Sequence, residues 1–270
     1  MEPPKPTLTR RALISLIALV LSAVIIALFV ESPPHSVLGK ADMFGFAVCH
    51  RIPERSFILD GRQLPLCARC TGTFLGAMLG LTVMLVLGRR RASRLPPVPV
   101  LGLLLIFVGL WAFDGLNSYL GFFPGAPQLY QPQNWLRLTT GLLEGLALMI
   151  FVFPILNFSL WRDPKPEPVI RNLAELLAIL PLAGLLVLAV RAQIDVLLYP
   201  LAIASSLGVV VLLTMIDPIL VVVVLRREGA ARSWRQLVVP FSAGLALVIL
   251  QITALSLLRA YLTIKFGLTF

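Results

Sequence analysis

The sequence predicts an all-α protein, a polytopic transmembrane helical bundle of about seven spans with its N-terminus inside and its C-terminus outside. Hydrophobic residues make up 58% and charged residues 13% of the 270 positions, and the mean hydropathy is +0.92, far outside soluble usage. Several apolar runs are long enough, at about 1.5 Å per residue, to cross a hydrocarbon core of about 30 Å. The basic residues collect in alternate connections between those runs.

In chain order the spans run approximately 12–30, 71–88, 98–113, 136–156, 173–190, 196–225 and 237–258. The first follows Arg10 and Arg11, has a 19-residue apolar core and lacks a small-x-small cleavage pattern, so it reads as an anchor rather than a signal peptide. The second carries Gly72, Gly76 and Gly80, and the fourth Gly141 and Gly145. Glycine at every fourth residue lets helices approach closely, so these two should pack together. The third ends before Asp114. The fourth sets Arg137, Thr140 or Gly141, and Glu144 on one face, from its outer end inward. Glu175 opens the fifth. Asp217-Pro218 in the sixth reads as a kink, because proline frees a carbonyl. Gln251 sits within the seventh. Connections are short and no repeat interrupts them, so residues 1–270 read as one integral membrane domain.

Lysine and arginine are retained on the cytoplasmic side of short loops. Fourteen fall on one side: Lys5, Arg10 and Arg11; Arg89, Arg90, Arg91 and Arg94; Arg162, Lys165 and Arg171; Arg226, Arg227, Arg232 and Arg235. Nine fall on the other: Lys40, Arg51, Arg55, Arg62, Arg69, Arg137, Arg191, Arg259 and Lys265. The tally predicts N-in, C-out, multi-pass, in the cell (plasma) membrane. The formal net charge of +10 needs no nucleic acid, since basic loops suit an anionic leaflet. The expected partner is the lipid bilayer.

All three cysteines and one of two histidines fall within 22 positions, in Cys49-His50-Arg51-Ile52-Pro53-Glu54-Arg55-Ser56-Phe57 and Pro65-Leu66-Cys67-Ala68-Arg69-Cys70-Thr71-Gly72. This loop, 31–70, and a second, 114–135, should emerge on the same extracytoplasmic side. The second carries Asp114-Gly115-Leu116-Asn117-Ser118 and Asn134-Trp135-Leu136-Arg137-Leu138-Thr139-Thr140-Gly141.

The pattern C-H-x-x-P-x-R-S-F, P-x-C-A-R-C-x-G, a D-G element and N-x-x-R-x-x-T-G resembles an uncharacterised family of predicted membrane proteins, domain of unknown function 2085. The resemblance covers roughly 49–145. It implies integral-membrane character and supplies no activity, and the three helices after Trp161 lie outside its motifs.

Cys67-x-x-Cys70 sets two thiols about one turn apart, a spacing at which both sulfurs meet one tetrahedral ion. Cys49 and His50 complete a Cys3His set, the loop folding back over the 16 residues between His50 and Cys67. Zinc fits such ligands first, with copper or iron as other transition metals. Adjacent residues point apart on a regular backbone, so His50 is either fourth ligand or general acid/base beside an open position. A thiol-disulfide reading stands beside this one. The helix dipole, Arg69 and Arg55 lower cysteine pKa values, and Cys49 serves as resolving thiol. The outer compartment favours disulfides, whereas a two-pair relay lacks its fourth cysteine. A disulfide or closed zinc site tying the loop to the second helix is the third reading.

Ionisable groups at the depth of Arg137 and Glu144 are costly in lipid and should face the interior or a wet cleft. Arg137 with Arg51 and Arg55 can grip a lipid phosphate or another anion. Alternatively, Arg137 pairs with Asp114 and only fixes two helices. The leading expectation is a metal-dependent enzyme acting on an anionic lipid or lipid-linked, membrane-delivered substrate. In it Cys49, Cys67, Cys70 and His50 hold zinc. His50, Asp114 and Arg137 act in catalysis, while Arg51, Arg55, Asn117, Asn134 and Glu144 contact substrate. A membrane thiol-disulfide oxidoreductase is one alternative. A small-solute or ion transporter lined by Asp114, Arg137 and Glu144 is another, with no inverted repeat or paired broken helices to support it.

Overall fold

The computed structural model describes residues 10–59, 61–123 and 125–267; Lys5, counted among the cytoplasmic cations, lies outside them. Seven helices are long and apolar enough to cross a membrane: α1 (Arg10–Glu31), α3 (Ala68–Val86), α4 (Val98–Leu120), α5 (Asn134–Leu160), α6 (Leu173–Arg191), α7 (Asp195–Val224) and α8 (Val238–Phe266). A shorter helix, α2 (Val37–Val48), follows α1. Its start is fixed by Ser36, whose hydroxyl accepts from the Gly39 amide at 3.1 Å, the usual way of satisfying a free first-turn donor. Asn172 does the same for α6 through the Glu175 amide at 2.9 Å. Gly267, at φ 64°, closes α8 in the left-handed region.

Helix α5 is the hub. Within its best apolar window 67% of residues are buried, against 6% for α1, so α5 is the bundle core and α1 the periphery. Leu146, Met149 and Ile150 of α5 pack with Ala77 and Met84 of α3 and with Val100 and Leu104 of α4. The glycine expectation holds. A Cβ at Gly72 or Gly76 would fall on the carbonyl oxygens of Leu138 or Leu142, and one at Gly141 or Gly145 on those of Arg69 or Thr73. Backbone therefore meets backbone along α3 and α5. Large apolar side chains such as Leu105, Leu185 and Leu257 remain exposed on the outside of the bundle, as a lipid-facing surface requires.

The basic loops interlock at one end. Strand β3 (Ala92–Arg94) runs parallel to β4 (Lys165–Pro168), and Trp161 bridges Ala231. Arg89, 3% exposed, donates to the carbonyls of Pro168 at 2.9 Å and Val169 at 3.1 Å and to Glu175 at 2.7 Å. Arg91 lies over the Trp161 ring at 3.8 Å. At the opposite end lie the cysteine loop, with its hairpin of β1 (Ile58–Leu59) and β2 (Arg62–Gln63), and the α4–α5 connection.

The structure differs from the sequence reading in several places; the last span, expected to end at 258, runs to Phe266. Helix α4 does not stop before Asp114 but continues to Leu120, about 10 Å farther at 1.5 Å per residue. Asp114, Asn117 and Ser118 thus project from helical turns and are buried. The loop 31–70 is not structureless, because α2 occupies part of it. At Asp217-Pro218, α7 carries on as helix, with Pro218 against Gly244 and the Asp217 carboxylate accepting from Gln251 at 3.3 Å.

Candidate metal centre and arginine cleft

Cys49 caps the end of α2, Cys67 caps the start of α3 and Cys70 lies in the first turn of α3. The three-residue spacing puts Cys67 and Cys70 on one helix face. Cys49 arrives because α2 presses on the chain before Cys67: a Cβ at Gly45 would fall on the Pro65 carbonyl oxygen. The three sulfurs lie within 4.8 Å of one another and none is in a disulfide. Cys49 and Cys67 are 5% and 2% exposed, so solvent does not separate them. The Cys67 amide donates to the Cys49 sulfur at 3.2 Å. Donation from the Cys67 thiol, then from Cys70, holds the Cys49 thiol well below its ordinary pKa, and that same bond to Cys49 raises Cys67.

His50 stands apart. Among the described residues the group placed to hold an ion is Cys49, Cys67 and Cys70, and His50 lies outside it. The His50 Nδ1 accepts from the Ile52 amide at 3.2 Å, which leaves the proton of a neutral ring on Nε2. Burial lowers its pKa, the positive charges of Arg55, Arg69 and Arg137 add to that, and the Cys49 charge opposes them. The imidazole is thereby kept neutral between the sulfurs and the arginines.

Asp114 accepts from Arg69 and, at 2.8 Å, from the Tyr130 hydroxyl. Its partner is Arg69 rather than Arg137, which corrects the helix-fixing alternative. Burial, then this hydrogen bond to a carboxylate, pushes the Tyr130 phenol up to about 12. Arg69 also donates to the Ser118 hydroxyl at 3.2 Å, and Arg55 to the Ser118 carbonyl at 3.2 Å, while Arg55 lies over the Phe122 ring at 4.0 Å. Arg137, 6% exposed, donates to Asn134 at 2.8 Å. Asn134 in turn donates to the carbonyls of Glu54 at 3.1 Å and Ser56 at 3.3 Å, on either side of Arg55.

The other expected substrate contacts divide. Asn117 is a staple for the α4–α5 connection, donating to the Tyr130 carbonyl at 2.9 Å and accepting from the Leu129 amide at 2.8 Å. Arg51 pairs with Asp42 at 2.8 Å, which accounts for its charge. Glu144, 6% exposed, lies two turns inward of Arg137, with one carboxylate oxygen lacking a partner.

Arg259 escaped the sequence reading. From α8 it donates to the carbonyls of Phe46 at 2.6 Å, Cys49 at 2.5 Å and His50 at 3.1 Å. The signal was a lone arginine in the last apolar run. A groove of about 300 Å³ between α2 and α8 is lined by Ala47, Val48, Cys49, His50, Leu255, Leu258, Arg259 and Leu262, so the centre has an apolar approach from the side of the bundle.

Residues 49–151 match the family described as Predicted membrane protein (DUF2085). An uncharacterized protein of Methanothermobacter thermautotrophicus is 34% identical over 104 residues, covering 38% of this chain and 82% of the relative. The chain belongs to that family. A second uncharacterized protein, from Methanocaldococcus jannaschii, is 29% identical over 118 residues, 44% of this chain and 69% of its own. No solved structure matches the chain. The matched segment holds the three cysteines, Arg55, Arg69, Asp114 and Arg137, whereas α8 and its Arg259 lie beyond it.

Proposed function

We propose that Cys49, Cys67 and Cys70 bind a transition metal, zinc first, and that the loaded centre belongs to an enzyme acting on an anionic, membrane-delivered substrate. The observation that carries this reading is three free sulfurs from two separate segments, the end of α2 and the start of α3, within 4.8 Å of one another. Three thiolates suit zinc and leave a fourth position for water or substrate. Bound there, zinc would supply a Lewis acid and an acidified water. Neutral His50 moves a proton at Nε2, Arg137 and Asn134 orient substrate, and Asp114 aims Arg69. The charge asymmetry of the loops supports N-in, C-out in the plasma membrane, with the centre extracytoplasmic.

The test pairs thiol titration before and after chelation with elemental analysis, for detergent-purified wild type and Cys67→Ser. About one equivalent of metal per chain, lost in Cys67→Ser and shielding the thiols, supports the reading. Three unbridged sulfurs this close together also support a second reading, disulfide exchange at Cys49. Metal-free protein with two of its three thiols oxidised would select that reading instead.

A further inference from the structure

We infer that Arg55, Arg69 and Arg137 form a receptor for a phosphate group, which names the substrate class of the centre proposed above and rests on that reading. The cluster holds three guanidiniums and one carboxylate partner, Asp114, which pairs with Arg69. Arg137 is nine-tenths buried, its side chain donates to the neutral Asn134, and the Nε atoms of Arg137 and Arg69 are buried without a partner. A buried cation lacking counter-charge is expensive. Glu54, the acid nearest in sequence to Arg55, is exposed. Three thiolates around a divalent ion carry one net negative charge, which leaves the two uncompensated guanidinium charges only half balanced.

The three groups converge. Arg55 and Arg69 meet at Ser118, and Asn134 ties Arg137 to the backbone flanking Arg55. Helices α3 and α5 both begin here with no side-chain cap bond, adding the partial positive charge of their first turns. Forked donors arriving from three directions fit the three free oxygens of a tetrahedral phosphate. A carboxylate offers two oxygens in one plane. The depth agrees: Tyr119, Phe122, Phe123 and Trp135, around the same helix ends, are 57%, 54%, 52% and 42% exposed, the aromatic girdle of a membrane-water boundary, where lipid phosphates lie.

The test is titration of the detergent-purified full chain with inorganic phosphate, with dihexanoyl phosphatidic acid and with dihexanoylglycerol, read by calorimetry and thermal shift. Phosphate-bearing probes should bind wild type and Arg62→Gln alike, and at least tenfold more weakly to Arg137→Gln and Arg55→Gln. Preference for phosphatidic acid, with dihexanoylglycerol silent, assigns the source to a lipid headgroup; equal binding of inorganic phosphate assigns it to the free ion. No binding to folded wild type, or affinity unchanged in both arginine variants, overturns the inference. Should Arg137→Gln not fold, Arg55→Gln, in the short turn Pro53–Arg55 outside the helices, decides alone. Elemental analysis of the same samples separates the two readings. Metal without phosphate binding sinks only the receptor, and phosphate binding without metal sinks only the metal centre.

Discussion

Arg259 donates to the carbonyl oxygen of Cys49 across 210 residues of chain. The last helix thereby holds the loop that the first cysteine begins, and a segment outside the family match becomes part of the site. The same guanidinium also reaches the Phe46 and His50 carbonyls, so it fixes the backbone on both sides of the sulfur.

Replacing Arg259 by Gln removes charge-assisted bonds to three carbonyls. The expected cost is about 2 kcal/mol in stability and, because the loop carries Cys49, about tenfold weaker metal retention. Denaturation in detergent and competition with a chelator measure the two separately. Unchanged metal retention would mean that Arg259 only anchors α8.

Gly145→Ala places a methyl on the Thr73 carbonyl and should destabilise the bundle by about 2 kcal/mol through overpacking. Gly109→Ala, whose Cβ meets nothing within 4 Å, should be neutral or slightly stabilising. Thermal unfolding of the pair checks it, and equal midpoints would refute the close α3–α5 contact.

Much of this architecture was legible in the sequence because lipid imposes length, hydropathy and small-residue spacing together. The seven spans and the close α3–α5 approach at Gly72, Gly76, Gly141 and Gly145 follow from those rules. The end of α4 was missed because hydropathy falls at Asp114, while the helix continues once Arg69 and Tyr130 satisfy that carboxylate. Helix α2 was missed because Gly39, Lys40, Asp42 and Gly45 dilute its apolar character over 12 residues. Cysteine spacing pointed to the sulfur trio. Arg69–Asp114, 45 residues apart, and the Arg259 grip on carbonyls leave no local pattern to read.

Asp114→Asn removes the carboxylate that accepts from Tyr130. That charge disfavours the phenolate, so its loss should lower the Tyr130 pKa from about 12 without restoring the ordinary value, since burial remains. The phenolate absorbance of Asp114→Asn, less that of the same protein carrying Tyr130→Phe, isolates the group. An unmoved titration would break the Asp114–Tyr130 link.

Arg89→Ala should cost about 3 kcal/mol, because it removes the ion pair with Glu175 and leaves two carbonyls without their donor at a nearly closed site. The cysteine end lies at the opposite ends of the helices, so metal content should be unchanged. Loss of metal along with stability would show the two ends to be coupled.

The most direct measurement of the central claim is X-ray absorption at the metal edge of the purified chain, with metal stoichiometry. The account predicts about one ion per chain with three sulfur neighbours near about 2.3 Å, and loss of that shell in Cys67→Ser. Metal-free protein carrying a disulfide, or a bound ion surrounded only by nitrogen and oxygen, would contradict it.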